Sequence, residues 1–304
     1  MFMRSALLFL SSRQWLRRWI ETSSVPRKLT ERFVAGKTLD EALEVCRRLN
    51  RQGILVTLDH LGENVQSERE GRVSAHAYLE ALGRIAEEKL EATVSVKLTH
   101  FGLGFSERLC RSNVETVVAF AANNGGFVEV DMESHEYVDL TLRIVRELHA
   151  KYGKVRAVVQ AYLRRTAADL EMLCREGIPV RLCKGAYSEP AAVAFTRKSE
   201  VTHNYLVLAK FLLENGNYPG FATHDPNVVM QILGFVQQRR VLPKSFEFQM
   251  LYGIRKDLQR LLTNEGYQLR LYVPFGAEWY PYLMRRLAER PANILLVAHN
   301  LLHR

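Results

Sequence analysis

Polar side chains recur in this sequence at one kind of place, where a short β-rich run gives out. Asp59, Lys97, Asp131, Gln160, Arg181 with Lys184, His224, Gln249 and Tyr272 each close or follow such a run. A single polar residue there is ordinarily a loop residue bonded to backbone. Gathered in one partly desolvated mouth, however, two basic and two acidic groups with a phenol would have strongly coupled charges. A second group, Tyr282, Arg285, Arg286 and Glu289, stands at i, i+3, i+4 and i+7 and so shares one helix face. Its plain reading is a solvated charged stripe. Its chemical reading is a guanidinium pair gripping a carboxylate, which arginine does in bidentate geometry better than lysine. The third signal is Arg181-Leu182-Cys183-Lys184-Gly185-Ala186-Tyr187, a strand entering a small-residue turn where backbone can approach a ligand closely. That segment is neither a Walker pattern nor a G-x-G-x-x-G fingerprint, and the chain has no G-x-S-x-G or H-E-x-x-H.

These groups can meet only if the runs that carry them lie side by side. After a helical lead-in over about Thr38 to Arg51, β-rich runs at 54–59, 93–97, 127–131, 155–160, 178–183, 220–223, 245–249 and 267–273 alternate with amphipathic stretches. Helices are predicted at 74–89, from Ser106, at 137–149, from Thr166, at 198–214, after Asp225-Pro226, at 254–264 and at 276–290. Ser106 is a candidate N-cap, and Asp225 is another with proline at the first turn. Gly125-Gly126 and Gly216 with Pro219 punctuate the helix ends. Eight strand–helix units in roughly 250 residues are the size of a (β/α)8 TIM barrel, in which functional groups stand at the C-terminal strand ends. A doubly wound open sheet would use six such units. The chain is thus read as α/β, with a helical N-terminal arm over 1–50 and a barrel over 51–304.

Composition narrows the class without naming a partner. With 47% hydrophobic and 25% charged residues the 304-residue chain falls in the ordinary globular range, so nothing in it reads as disordered. The net charge of +9 would suit nucleic acid, an anionic membrane or an anionic ligand alike. Lysines and arginines are interspersed with acids rather than collected in a tail, which marks a solvated surface. Cys46, Cys110, Cys174 and Cys183 form no C-x-x-C pair and have no histidine at ligand spacing, which suits reduced thiols in a cytoplasmic protein and gives no support for a metal site. The apolar run from Ala6 to Leu10 is too short to span a bilayer and is followed by Arg13, Trp15, Arg17, Arg18 and Trp19. Such a basic amphipathic segment either lies on a membrane surface or packs on its own domain.

Taken together, Ser95-Val-Lys-Leu-Thr, Val130-Asp-Met-Glu, Val159-Gln-Ala-Tyr, Arg181-Leu-Cys-Lys-Gly-Ala-Tyr, Phe221-Ala-Thr-His and Tyr280-Pro-Tyr-Leu-Met-Arg-Arg-Leu-Ala-Glu-Arg-Pro resemble the proline dehydrogenase family, its small monofunctional bacterial members most closely. The resemblance covers most of the chain. It implies a distorted (β/α)8 barrel holding FAD at the strand ends, with the last helix over the mouth. Arg285 and Arg286 would pair with the carboxylate of L-proline, and Lys97, Tyr272 and Tyr282 would complete the pocket. Asp131 and Arg181 would be the critical polar groups, with Arg181 near flavin N5. Met132, Gln160, Lys184, Gly185, Ala186, Thr223, His224 and Gln249 would contact the cofactor. The implied reaction is hydride transfer from proline to flavin N5, giving 1-pyrroline-5-carboxylate. Reoxidation would be by a membrane quinone, and a separate pyrroline-5-carboxylate dehydrogenase would continue the route to glutamate. Because an ammonium nitrogen cannot help expel hydride, the positive cluster of Arg285, Arg286, Lys97 and Arg181 is expected to lower the amine pKa. Ser188, where some relatives carry a bulky aromatic residue, and the short N-terminal lead-in depart from the better-known members.

Two other readings compete on the residues alone. Lys97 or Lys184 at a strand end could form a Schiff base in an aldolase-like lyase. The N-terminal arginines and tryptophans could serve a surface-binding protein for anionic lipid or nucleic acid.

Overall fold

The computed structural model of the chain describes residues 32–62 and 65–289. Eight parallel strands close into a barrel in chain order, and the last pairs back onto the first. They are β1 (Leu55–His60), β2 (Ala92–Val96), β3 (Val128–Val130), β4 (Val155–Gln160), β5 (Val180–Cys183), β6 (Gly220–Ala222), β7 (Glu247–Leu251) and β8 (Gln268–Phe275). A lead-in helix α1 (Leu39–Asn50) precedes them. The helices that follow the strands in turn are α2 (Glu68–Glu87), α3 (Glu107–Asn123), α4 (Val138–Tyr152), α5 (Thr166–Arg175), α6 (Lys198–Asn215), α7 (Pro226–Arg239), α8 (Lys256–Asn264) and α9 (Trp279–Glu289). The (β/α)8 expectation holds and the open sheet does not.

Local chemistry starts the helices where the sequence signals them. Ser106 accepts from Leu109 N at 3.3 Å, and Asp225 accepts from Asn227 N at 3.1 Å ahead of Pro226. Thr38 and Glu41 form a reciprocal capping box at α1, whose Leu43, Cys46 and Leu49 are buried in the barrel's own core. Helix α2 differs from expectation, for it begins under an N-cap at Ser67 rather than near Ser74. Glu68, Arg69 and Glu70 hid the first turn, because a solvent-facing polar turn carries no apolar period. Strands β7 and β8 also run two residues further than read, to Leu251 and Phe275.

The apolar core lies between strands and helices, while the barrel interior is polar. Glu129, Glu247, Arg156, Arg181 and Arg270 are all buried there. Buried charges of this kind must be paired and hydrogen-bonded, since desolvating either partner alone costs several kcal/mol (roughly 3–5 on removing one). Burial alone would raise the Glu247 carboxyl, but Arg270 and Arg156 outweigh it and hold it at about 2. Unfolded, the same carboxyl titrates near 4.5, so its contribution is complete above that pH and is lost as pH falls toward 2. The contribution is of the order of 3 kcal/mol. Urea midpoints should therefore drop on acidification through this window, and Glu247→Gln, from a lower start, should drop less. Equal slopes in the two chains would be the contrary result.

Candidate active site

Alternate residues of a strand face the same side. Thr57 and Asp59, Ser95 and Lys97, Glu129 and Asp131, Glu247 and Gln249, and Arg270 and Tyr272 therefore each send two polar groups into the barrel, the second nearer the C-terminal rim. In the deeper layer Glu129 accepts from Thr57 Oγ1 at 3.0 Å, Arg156 at 2.7 Å, Arg181 at 2.9 Å and Gln249 Nε2 at 2.9 Å. Glu247 accepts from Arg156 at 2.5 Å, Arg270 at 2.8 Å, Gln249 Nε2 at 2.7 Å and the Tyr218 hydroxyl at 3.1 Å.

Asp131 is the hinge of the outer layer. Its carboxylate accepts from Ser95 Oγ at 2.9 Å and from the Tyr272 hydroxyl at 2.7 Å, lies 3.5 Å from Lys97 Nζ, and pairs with Arg181. Lys97 donates to Asp59 at 3.0 Å and to Tyr272 at 3.4 Å, and the Arg181 guanidinium sits 5.2 Å from the Tyr272 ring centroid. Burial pulls the Lys97 ammonium down, yet Asp59 ahead of Tyr272 and Tyr78 holds its pKa well above the ordinary lysine range. Burial, with Asp59 next, pushes the Tyr272 phenol well up, so it is a proton donor to Asp131 and not a phenolate. A lysine held this firmly as ammonium is a poor Schiff-base nucleophile. Lys184, the other candidate, is also engaged, donating to Thr202 at 3.0 Å and Asp225 at 3.1 Å.

The structure thus gathers Asp59, Lys97, Asp131, Arg181, Gln249 and Tyr272 into one bonded cluster. It corrects one expectation about them. Gln249 and Tyr272 do not close their strands but stand inside them, because β7 and β8 run on. Among the described interior residues, Asp59, Glu129, Asp131 and Glu247 match Lys97, Arg156, Arg181 and Arg270 in number. Glu129, Arg156, Glu247 and Arg270 form the deeper part of this network, and the sequence reading missed all four. A charged residue flanked by valines inside a short strand, as in Val128-Glu129-Val130, was the available signal.

Other expected residues line the rim rather than the cluster. Gln160 Nε2 donates to the carbonyls of Met132 at 2.9 Å and Glu133 at 3.2 Å, while its Oε1 is buried with no hydrogen-bond donor among the described residues. Thr223 is buried and its Oγ1 accepts from Asp225 N at 3.2 Å, and His224 Nε2 accepts from Leu251 N at 2.8 Å. Ala186 is exposed. Gly185 has φ +104, and a Cβ there would lie 2.3 Å from the Tyr162 ring. Glu189, of the same loop, accepts from the Tyr162 hydroxyl at 3.2 Å and from His135 N at 2.9 Å. Gly185→Ala should therefore shift this turn, costing about 1–3 kcal/mol through strained backbone alone. The expected readout is a melting temperature lowered to match; one equal to the parent's would contradict the tight approach of Tyr162 at this turn.

Helix α9 stands at the rim beside the seam where β8 meets β1. Trp279, Tyr280, Tyr282, Leu283 and Met284 form a small apolar cluster with Leu61, just after β1, and with Phe33 and Val34. The segment carrying Phe33 and Val34 is tied to the end of β8, Ala35 N donating to Pro274 O at 2.9 Å and Gly276 N to Gly36 O at 3.0 Å. Arg286 lies 5.3 Å from the Tyr282 ring centroid. The side chains of Arg285 and Glu289 lie outside the described residues, as does the whole basic segment before residue 32. Among the described residues no helix is long and apolar enough to cross a membrane, and no group of histidine, cysteine and carboxylates could hold a metal.

Comparison with known proteins agrees with this geometry. The sequence profile described as proline dehydrogenase matches residues 42–298. Proline dehydrogenase 1 of Bacillus subtilis (strain 168) is 39% identical over 300 residues, which is 99% of each chain. Proline dehydrogenase of Deinococcus radiodurans is 39% identical over 279 residues, 90% of each chain. Among solved structures, proline utilization A (PutA) from Bdellovibrio bacteriovorus, inactivated by N-propargylglycine, superposes with a TM-score of 0.81 at 28% identity. The match covers 87% of this chain and 33% of that one, so this chain spans about a third of that larger protein.

Proposed function

This chain belongs to the proline dehydrogenase family, and on that premise we propose that it oxidises L-proline to 1-pyrroline-5-carboxylate, the first step of proline degradation to glutamate, with FAD as its resident cofactor. The observation that carries the reading is the outer cluster of Lys97, Asp131, Arg181 and Tyr272, at the rim beside a helix bearing Tyr282, Arg285 and Arg286. The rim suits a flavin, whose ring edge carries both hydrogen-bond donors and acceptors. Gln160 Oε1 is a buried acceptor with no donor among the described residues, and the Gly185 turn keeps a Cβ out of the way. Met132, Gln160, Lys184, Gly185, Ala186, Thr223, His224 and Gln249 would hold the cofactor, with Arg181 beside it.

FAD, when bound, would supply at N5 an acceptor for hydride from the proline ring carbon that is bonded to nitrogen and does not bear the carboxylate, with a membrane quinone as the proposed terminal acceptor. The chain's own residues bind and orient. Arg285 and Arg286 pair with the carboxylate, and Tyr272 and Tyr282 wall the ring. Lys97 and Arg181 are paired with carboxylates, so with Arg285 and Arg286 they would act on the amine pKa as a partly compensated cluster. Product passes to a separate pyrroline-5-carboxylate dehydrogenase, and any peripheral membrane contact made to reach the quinone would fall to the basic segment before residue 32.

The test is the visible spectrum of the purified protein before and after anaerobic L-proline, beside an Arg285→Met/Arg286→Met control. A flavin band that bleaches only with the arginines intact supports cofactor and substrate together. A colourless protein that cannot be reconstituted with FAD and reduces no dye with proline overturns the reading.

A further inference from the structure

We infer that Glu129 is the positioning residue that fixes Arg181 against the cofactor side of the site and sets the charge felt there. This rests on the functional reading above. Glu129 is fully buried and stands two residues before Asp131 on β3, one layer deeper. One of its carboxylate oxygens takes Arg181 Nη1 at 2.9 Å and Thr57 Oγ1 at 3.0 Å; the other takes Arg156 at 2.7 Å and Gln249 Nε2 at 2.9 Å. Both oxygens are thus engaged by donors from four other strands.

Arg181 is correspondingly gripped at two levels. Its Nη1 reaches down to Glu129 and, at 3.4 Å, to Gln249 Oε1, while Nη2 reaches Ser95 Oγ at 3.3 Å and pairs with Asp131. Without Glu129 the guanidinium would keep one carboxylate, Asp131, and two neutral acceptors at 3.3–3.4 Å; Glu129 supplies the second charged anchor, on Nη1, that fixes its plane. Glu247 is the natural comparison, since it is equally buried and binds Arg156, Arg270 and Gln249, but its hydrogen bonds do not include Arg181.

Exchange of either glutamate for glutamine removes one negative charge from the same buried network. Only the loss at Glu129 removes a direct carboxylate partner of Arg181 and leaves its charge less compensated. The reduced flavin carries more negative charge than the oxidised one, so its potential should rise in Glu129→Gln. Turnover should fall roughly ten- to a hundredfold, the range of a charge-assisted hydrogen bond, with proline affinity nearly unchanged because Glu129 lies a layer below the pocket.

The experiment compares Glu129→Gln, Glu129→Asp and Glu247→Gln as holoenzymes by spectroelectrochemical titration and steady-state kinetics, and adds unfolding cycles with Arg181→Met. The inference expects a raised potential and a kcat-only loss in Glu129→Gln, partial recovery in Glu129→Asp, and a near-parent potential in Glu247→Gln. It also expects melting temperatures that are non-additive for Glu129→Gln with Arg181→Met but additive for Glu247→Gln with Arg181→Met. Equal potentials, kinetics and additivity in the Glu129 and Glu247 variants would overturn it. Failure of the functional reading shows separately as a missing flavin band, and the unfolding cycle then still decides the Glu129–Arg181 link.

Discussion

Arg181→Met should cut proline-dependent dye reduction by about a hundred- to a thousandfold, the usual cost of removing a preorganised donor from a site of charge transfer. The same exchange strips Glu129 and Asp131 of a buried cation, so it should also destabilise the fold, by roughly 3–5 kcal/mol. The two losses can be told apart. Lysine at this position restores the charge but not the fork that reaches Glu129, Ser95 and Asp131 together. Arg181→Lys should therefore recover most of the melting temperature and little of the rate. Parent-like turnover in Arg181→Met would remove Arg181 from the chemistry, and loss of rate only in step with melting temperature would make it a structural residue.

The second large effect concerns Arg286. On the proposed pairing with the substrate carboxylate, its methionine variant should raise the KM for L-proline by at least roughly thirtyfold, since truncating one partner of a buried charge pair costs roughly 2–5 kcal/mol. Arg286 is partly exposed and packs on Tyr282, so melting should barely move. Pyrrolidine offers the discriminating probe: it has the ring and the amine but no carboxylate. Parent and Arg286→Met should handle pyrrolidine alike, whereas an equal loss on both substrates would assign Arg286 to helix placement instead of carboxylate recognition.

Much of this architecture was legible because its signals are local. Eight apolar runs, the caps at Ser106 and Asp225, and the small-residue turn at Gly185 each follow from a few neighbouring residues. Asp131, Arg181, Lys97 and Tyr272 could be gathered in advance because strand ends in a parallel barrel must converge. Where the reading failed, the cause was distance in sequence. Nothing near Glu129 announces Arg156 or Arg181, 27 and 52 positions on, and only the closed barrel brings them within hydrogen-bonding range. The charge balance of the interior was invisible for the same reason, since it belongs to seven strands at once. The early start of α2 and the extra length of β8 are smaller misses: an exposed polar first turn hid the one, and the other continues through Pro274 to Phe275 beyond the run that was read.

The seam between β8 and β1 bears on how the molecule comes into being. Thr57 pairs with Tyr272, and Ala35 binds Pro274, across more than two hundred residues of chain. Such contacts form last, for a nascent chain meets its first strand long before its final one is made. Until then β1 and β7 present open edges, and the arginines of the interior lack some of their partners. Maturation of the pocket is therefore a single late event: the closure that hides the edges also seats Tyr272 on Asp131 and α9 at the rim. A chain lacking β8 would lack this pocket, and its open strand edges would be exposed to pairing with other chains during synthesis.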